Sequence, residues 1–194
     1  GSEPVGIDLL GHGTAPRSSN PDDYVDLTGP ILERLGDSPV DAVGFSLGAL
    51  TLLRVACRRP GSFRRLVLGG IGRNALVDGD DDDRRVLVDA IRGIYDGPGS
   101  LPRQFAQYAH RPGNDPSSLA AALEARRPAL SVDELSSIDA EVLIVIGADD
   151  FAGPGEPLHD AIPGSHLITV PRCDHFALTE NFAFFDAVFD FLGR

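Results

Sequence analysis

Pro39-Val40-Asp41-Ala42-Val43 followed by Gly44-Phe45-Ser46-Leu47-Gly48 joins a short apolar run to a segment with helical spacing. The first five residues are β-branched and apolar enough to read as a buried strand. Residues 47–59 carry apolar side chains at helical intervals and stop at Pro60-Gly61. A serine on such a strand–sharp turn–helix junction sits in a strained backbone with its hydroxyl projecting above the sheet. Glycines on both sides are expected because side chains there would collide with the neighbouring strand or helix. With 22 glycines in the chain, chance alone would yield G-x-S-x-G in roughly one such sequence in six. A serine nucleophile also needs a base and an orienting acid.

Both follow in order. Residues 142–146, Val-Leu-Ile-Val-Ile, form an apolar run of strand length that ends in Gly147-Ala148-Asp149-Asp150. A second strand candidate, residues 166–170, leads into Pro171-Arg172-Cys173-Asp174-His175-Phe176. In open α/β sheets, chemistry gathers where loops converge at the carboxyl ends of the strands. The order serine, acid, histidine is that of the α/β-hydrolase arrangement and differs from the chymotrypsin and subtilisin orders.

On these motifs the chain resembles the α/β-hydrolase family, in its small, lidded, esterase-like branch. Asp8-Leu9-Leu10-Gly11-His12-Gly13 resembles the D-x-x-G-x-G that follows the family's fourth strand. Gly147-Ala148-Asp149-Asp150 resembles its acid turn, and Asp174-His175-Phe176 its histidine loop. The resemblance implies a mostly parallel sheet flanked by helices, with Ser46 as nucleophile, Asp150 (not Asp149) as acid and His175 as base. It also implies that the Leu47 amide donates to an oxyanion. No cofactor is implied, and the substrate would be a small-molecule carboxylic ester or thioester of small to medium size. A serine at position 46 disfavours the epoxide hydrolase and dehalogenase branches, which place aspartate there. Lactone opening, perhydrolysis and C–C cleavage of diketones use similar parts.

The expected organisation is a core of residues 1–72 and 140–194 with a helical lid of residues 73–139. Strands are expected at 4–8, 39–43, 65–70, 142–146 and 166–170. A helix at 21–35, kinked at Gly29-Pro30, precedes the nucleophile strand, and a phenylalanine-rich helix at 179–192 closes the chain. Within the insertion, amphipathic stretches at 84–95, 101–110 and 117–126 are punctuated by Gly97-Pro98-Gly99 and Arg111-Pro112-Gly113. Tyr95, Phe105 and Tyr108 there either line the lid or pack its core.

One departure stands out. The family has three strands before its D-x-x-G-x-G segment, and a His-Gly loop after the third; here that segment starts at Asp8. Reading residues 5–13 as the third strand with a His12-Gly13 loop conflicts with spacing. From Asp8 to Ser46 there is room for one loop and one helix only. The family's third strand lies between its fourth and fifth, so the expectation is an N-terminally incomplete sheet with a gap or a re-paired fourth strand. Unpaired buried backbone is costly, and an open edge invites a complementing N-terminal segment or homo-oligomer. The absent loop would also carry the second oxyanion donor, and losing one such donor costs about 10² to 10³ in turnover. A non-catalytic or impaired homologue is therefore the alternative reading.

Composition excludes several classes. All 17 basic residues are arginine, and the formal charge is −12, which argues against nucleic acid or an anionic membrane as partner. No apolar run reaches the roughly 18 residues that span a bilayer. No basic-then-apolar leader opens the sequence, and the expected location is cytoplasmic. Cys57 and Cys173 do not make a disulfide framework. No His/Cys cluster has metal-ligand spacing, and Asp80 to Asp83 reads as a solvated loop or helix start. His12 is expected to brace its own turn, Asp174 to be a loop residue, and His110, His159 and His166 to be incidental.

Overall fold

A computed structural model describes residues 3–77 and 79–193. In chain order, a 3-10 turn at Pro21–Tyr24 leads to α1 (Gly29–Arg34), β1 (Val40–Phe45), α2 (Leu47–Arg58) and β2 (Phe63–Gly69). Then come α3 (Asp81–Ile91), α4 (Ser100–Ala109), α5 (Pro116–Glu124) and α6 (Val132–Ser136). β3 (Glu141–Gly147), α7 (Glu156–Ala161), β4 (His166–Val170), α8 (His175–Leu178) and α9 (Phe182–Leu192) complete the order. Among the described residues, no helix is long and apolar enough to cross a membrane.

The chain divides into two compact units, residues 1–30 with 79–128, and residues 31–78 with 129–194. These bounds differ from the expected partition at 72/73 and 139/140: residues 1–30 group with 79–128, while residues 73–78 and 129–139 group with the sheet-bearing segments.

The second unit holds the sheet. Its four strands run parallel in the order β1-β2-β3-β4, with Val43 opposite Val67, Val67 opposite Leu143, and Leu143 opposite His166. Parallel neighbours need a crossover segment between them, which α2 supplies between β1 and β2 and α7 between β3 and β4. β3 is buried from Val142 to Gly147, as befits an interior parallel strand whose sequence is an unbroken apolar run. One face of the sheet packs Val67, Leu143 and Val145 against Val170, Leu178 and the α9 residues Phe184 and Val188. The phenylalanine-rich helix starts at Phe182, not at 179: Asn181 caps it by accepting from the Ala183 amide.

In the first unit, Val88 and Ile91 of α3, Ala109 of α4, and Leu119 and Ala120 of α5 form a separate core. Phe105 and Tyr108 pack against that core. Tyr24 is fully buried, and its hydroxyl donates to the Ser18 carbonyl at 2.8 Å. The aspartate run is a helix start: Asp80 caps α3 by accepting from the amides of Asp82 and Asp83. Carboxylates in that first turn also suit the helix dipole.

Two expectations fail here. Residues 4–8 are not a strand and belong to no ladder. Strand character in the sequence is insufficient without a neighbour to take the backbone groups. The segment closes locally instead, with Asp8 accepting from both the amide and the hydroxyl of Thr14 at 2.8 Å. Those bonds hold the Asp8 carboxyl below its usual value. The helix expected at 21–35 is also absent as one piece. Asp26 caps the Thr28 amide and hydroxyl at 3.0 and 2.7 Å, and Gly29-Pro30 starts α1 instead of kinking a longer helix. Proline suits a first turn, where its missing donor is not needed.

Candidate active site

Ser46 lies between the last residue of β1 and the first of α2. Its φ is +50°, in the left-handed region that costs a non-glycine residue about 1 kcal/mol or more. The geometry is over-determined from both sides: the Ser46 amide donates to Gly69 of β2 at 2.8 Å, and its carbonyl accepts from Leu50 of α2 at 2.9 Å. The two flanking glycines turn out to be unequal. A Cβ at Gly44 would lie 2.7 Å from the Ala49 backbone nitrogen, whereas one at Gly48 would meet nothing within 4 Å. Only Gly44 is required by close packing, so the collision expected at Gly48 does not occur.

The three candidate side chains all lie in the second unit and meet. His175 Nε2 is 3.0 Å from Ser46 Oγ. Its Nδ1 is 2.9 Å from Asp150 Oδ1 and 3.0 Å from Oδ2. Asp150 and His175 are 8% and 5% exposed, so this pair is largely withdrawn from water and its electrostatics are correspondingly strong. The Asp150 carboxylate is itself held, because Oδ1 also accepts from the Ala152 amide at 2.9 Å. Asp149, its neighbour in sequence, is exposed.

Each partner is placed by the end of a strand. The turn after β3 is tied to the β4 side by the Ala148 amide donating to Val170 at 2.8 Å and the Asp149 amide donating to Cys173 at 3.0 Å. His175 opens α8, and Asp174 is its cap, accepting from the Ala177 amide at 2.9 Å. Asp174 thus acts as the cap of this short helix. Leu47 occupies the first position of α2, where helix geometry leaves the amide without an intrahelical acceptor and the dipole favours negative charge.

Other residues singled out from the sequence lie elsewhere. His12 Nδ1 is 3.0 Å from the Leu10 carbonyl, within its own turn. His159 Nδ1 is 2.9 Å from Ser165 Oγ, His166 stacks edge-on with Phe191, and His110 ends α4. Both cysteines are free thiols, and burial pushes Cys57 up to about 11.

The motifs alone do not reveal what surrounds the imidazole. Phe45, Phe151 and Phe176 all stand against it, with ring centroids 4.8, 4.5 and 5.6 Å away. The signal available was adjacency: each phenylalanine neighbours one of the three polar residues in sequence.

Residues 3–187 match the model of the alpha/beta hydrolase family. The chain is 30% identical to the pimeloyl-[acyl-carrier protein] methyl ester esterase of Neisseria meningitidis serogroup A, across 94% of this chain and 65% of that protein. It therefore spans about two thirds of that relative's length. Among solved structures, it is similar to the enol-lactonase from Burkholderia xenovorans, with a TM-score of 0.73 and 23% identity over 96% of this chain and 79% of that one. An esterase from Exiguobacterium antarcticum aligns with a TM-score of 0.73 and 20% identity, over 97% and 81% of the two chains.

Proposed function

The chain belongs to the alpha/beta hydrolase family, and from that premise we propose that it is a serine hydrolase cleaving a small to medium carboxylic ester or thioester through an acyl-enzyme. The observation that carries the reading is the continuous hydrogen-bonded chain from Ser46 through His175 to Asp150. Ser46 Oγ attacks the acyl carbon while His175 Nε2 takes its proton. The tetrahedral oxyanion is stabilised by the Leu47 amide at the start of α2. Collapse breaks the bond to the leaving group, which receives the proton from Nε2 and departs as alcohol or thiol. Water then attacks the acyl-serine, Nε2 again taking and returning the proton, and the acid leaves with Ser46 restored. Asp150 keeps the imidazole in the tautomer whose Nε2 accepts, and stabilises it once charged. The Neisseria relative's name specifies a methyl ester as its substrate, which supports the ester class.

A fluorophosphonate probe tests the reading directly, because it reacts with an activated serine and not with an ordinary one. We expect stoichiometric labelling at Ser46, abolished in Ser46→Ala. A folded wild-type protein that takes no label would remove the proposal.

A second reading, in which the chain works with a complementing strand, rests on a specific observation. Among the described residues β1 is bonded on one side only, to β2, and Val43 on this strand is 47% exposed. An open edge with apolar side chains is a template for pairing. If the partner is a second copy, light scattering at micromolar concentration should report a dimer that Val43→Lys returns to monomer. A monomeric wild type excludes that partner.

A further inference from the structure

We infer that Phe151 is a positioning residue for the reaction proposed above, holding the plane of the His175 imidazole while its Nε2 changes partners. The inference rests on that functional reading and adds to it a residue outside the hydrogen-bonded chain.

The need for such a residue follows from the chemistry. Nδ1 is anchored throughout by Asp150, but the partner of Nε2 is transient. It begins as Ser46 Oγ, becomes the leaving-group oxygen or sulfur once Ser46 is acylated, and then becomes water. During those exchanges no lasting hydrogen bond fixes that end of the ring. The side chain's own torsion does not do so either, because rotation about the bond to an aromatic ring has broad, shallow wells. The Nδ1 bonds to Asp150 limit rotation of the rigid ring, and contact with rigid neighbours narrows the freedom left at Nε2; a proton is delivered well only within a narrow range of distance and angle.

The structure provides those neighbours. Phe151 is the ring nearest to His175, with centroids 4.5 Å apart and planes inclined at 50°. Phe45 stands at 4.8 Å and 43°. On the Cε1 side the wall is backbone: Gly70 has φ +64°, and a Cβ there would sit 3.1 Å from His175 Cε1 and 2.6 Å from the Phe45 ring. Phe151 also follows Asp150 directly. One turn therefore presents both the carboxylate that anchors Nδ1 and the ring that packs on the imidazole.

Phe151 is the informative one to change. Phe45 is half-buried and packs against the core, edge-on to Phe184 at 6.4 Å, so its loss would disturb the packing of α9. Phe151 is 41% exposed, and its truncation removes a contact with His175 at smaller cost to the core.

The test compares Phe151→Ala, Phe151→Leu and Phe151→Tyr with wild type on a methyl ester and a para-nitrophenyl ester of the same acid. A methoxide needs protonation to leave, whereas para-nitrophenolate does not, so the methyl ester reads the delivered proton more heavily. For Phe151→Ala we expect kcat/KM on the methyl ester to fall about 10- to 100-fold through kcat, with KM little changed and a smaller loss on the para-nitrophenyl ester. Phe151→Tyr, which keeps the ring, should restore the ratio between the two esters. Phe151→Leu keeps apolar bulk without a planar ring and should resemble alanine, and it serves in its place if the alanine variant does not fold. Equal losses on both esters, a change confined to KM, or no change would overturn the inference. Wild-type protein that hydrolyses neither ester and takes no fluorophosphonate would sink the functional reading itself, and this inference with it.

Discussion

Replacing His175 with alanine should lower ester turnover about 10⁶-fold, close to the loss from removing the whole hydrogen-bonded set. Among the described residues the imidazole is the group bonded to the Ser46 hydroxyl, at 3.0 Å. Without it, the hydroxyl must attack as a neutral alcohol, and the leaving group must depart unprotonated. The effects should not add. Ser46→Ala with His175→Ala should be no slower than either alone, because each change disables the same proton transfer. Stability moves separately. The Asp150 carboxylate is 8% exposed, and losing its partner leaves a buried charge held by the Ala152 amide alone. His175→Ala should therefore unfold at lower temperature than Ser46→Ala, and rates must be compared where both are folded. Measured kcat and KM for the two single variants and the double variant check this. A His175→Ala protein within about tenfold of wild type would exclude general-base chemistry at this histidine.

How far the site was legible depends on whether its signals are local. Ser46 could be read because strand, turn and helix follow one another within twenty residues, each with its own periodicity. Asp150 stands out over Asp149 only through the likeness of Gly147-Ala148-Asp149-Asp150 to the family's acid turn; the structure buries the first and exposes the second. Residues 4–8 show the opposite case. Their pattern is that of a strand, but a strand is a property of a pair, and pairing is not written into five residues. Gly29-Pro30 is ambiguous for a related reason: the same dipeptide kinks a helix or begins one, and the cap that decides it, Asp26 to Thr28, is a side-chain contact. Gly48 matched a motif whose steric demand falls on Gly44. Of the rings around His175, Phe176 is its neighbour in the chain, but Phe45 and Phe151 come from distant turns, and no period in the sequence reports that they converge.

Asp150→Asn should leave the fold close to wild type and lower kcat by about 10⁴-fold. The two carboxylate oxygens lie almost equally near Nδ1, at 2.9 and 3.0 Å. In the wild type both accept, so Nδ1 carries the proton and Nε2 is free to take one from Ser46. An asparagine side chain has one accepting end and one donating end. The Ala152 amide donates to Oδ1 at 2.9 Å, which fixes the accepting end there and turns the NH₂ group to the Oδ2 position. That group, 3.0 Å from Nδ1, then competes with the oxygen at 2.9 Å, and where it donates to Nδ1 it favours the other tautomer, with hydrogen on Nε2. A protonated Nε2 cannot accept from Ser46, so the base is disabled while every heavy atom stays in place. Asp149→Asn, at the exposed neighbour, should leave kcat unchanged. Steady-state rates with thermal unfolding of each variant separate the two positions. Full activity in Asp150→Asn, or a large loss in Asp149→Asn instead, would reassign the acid.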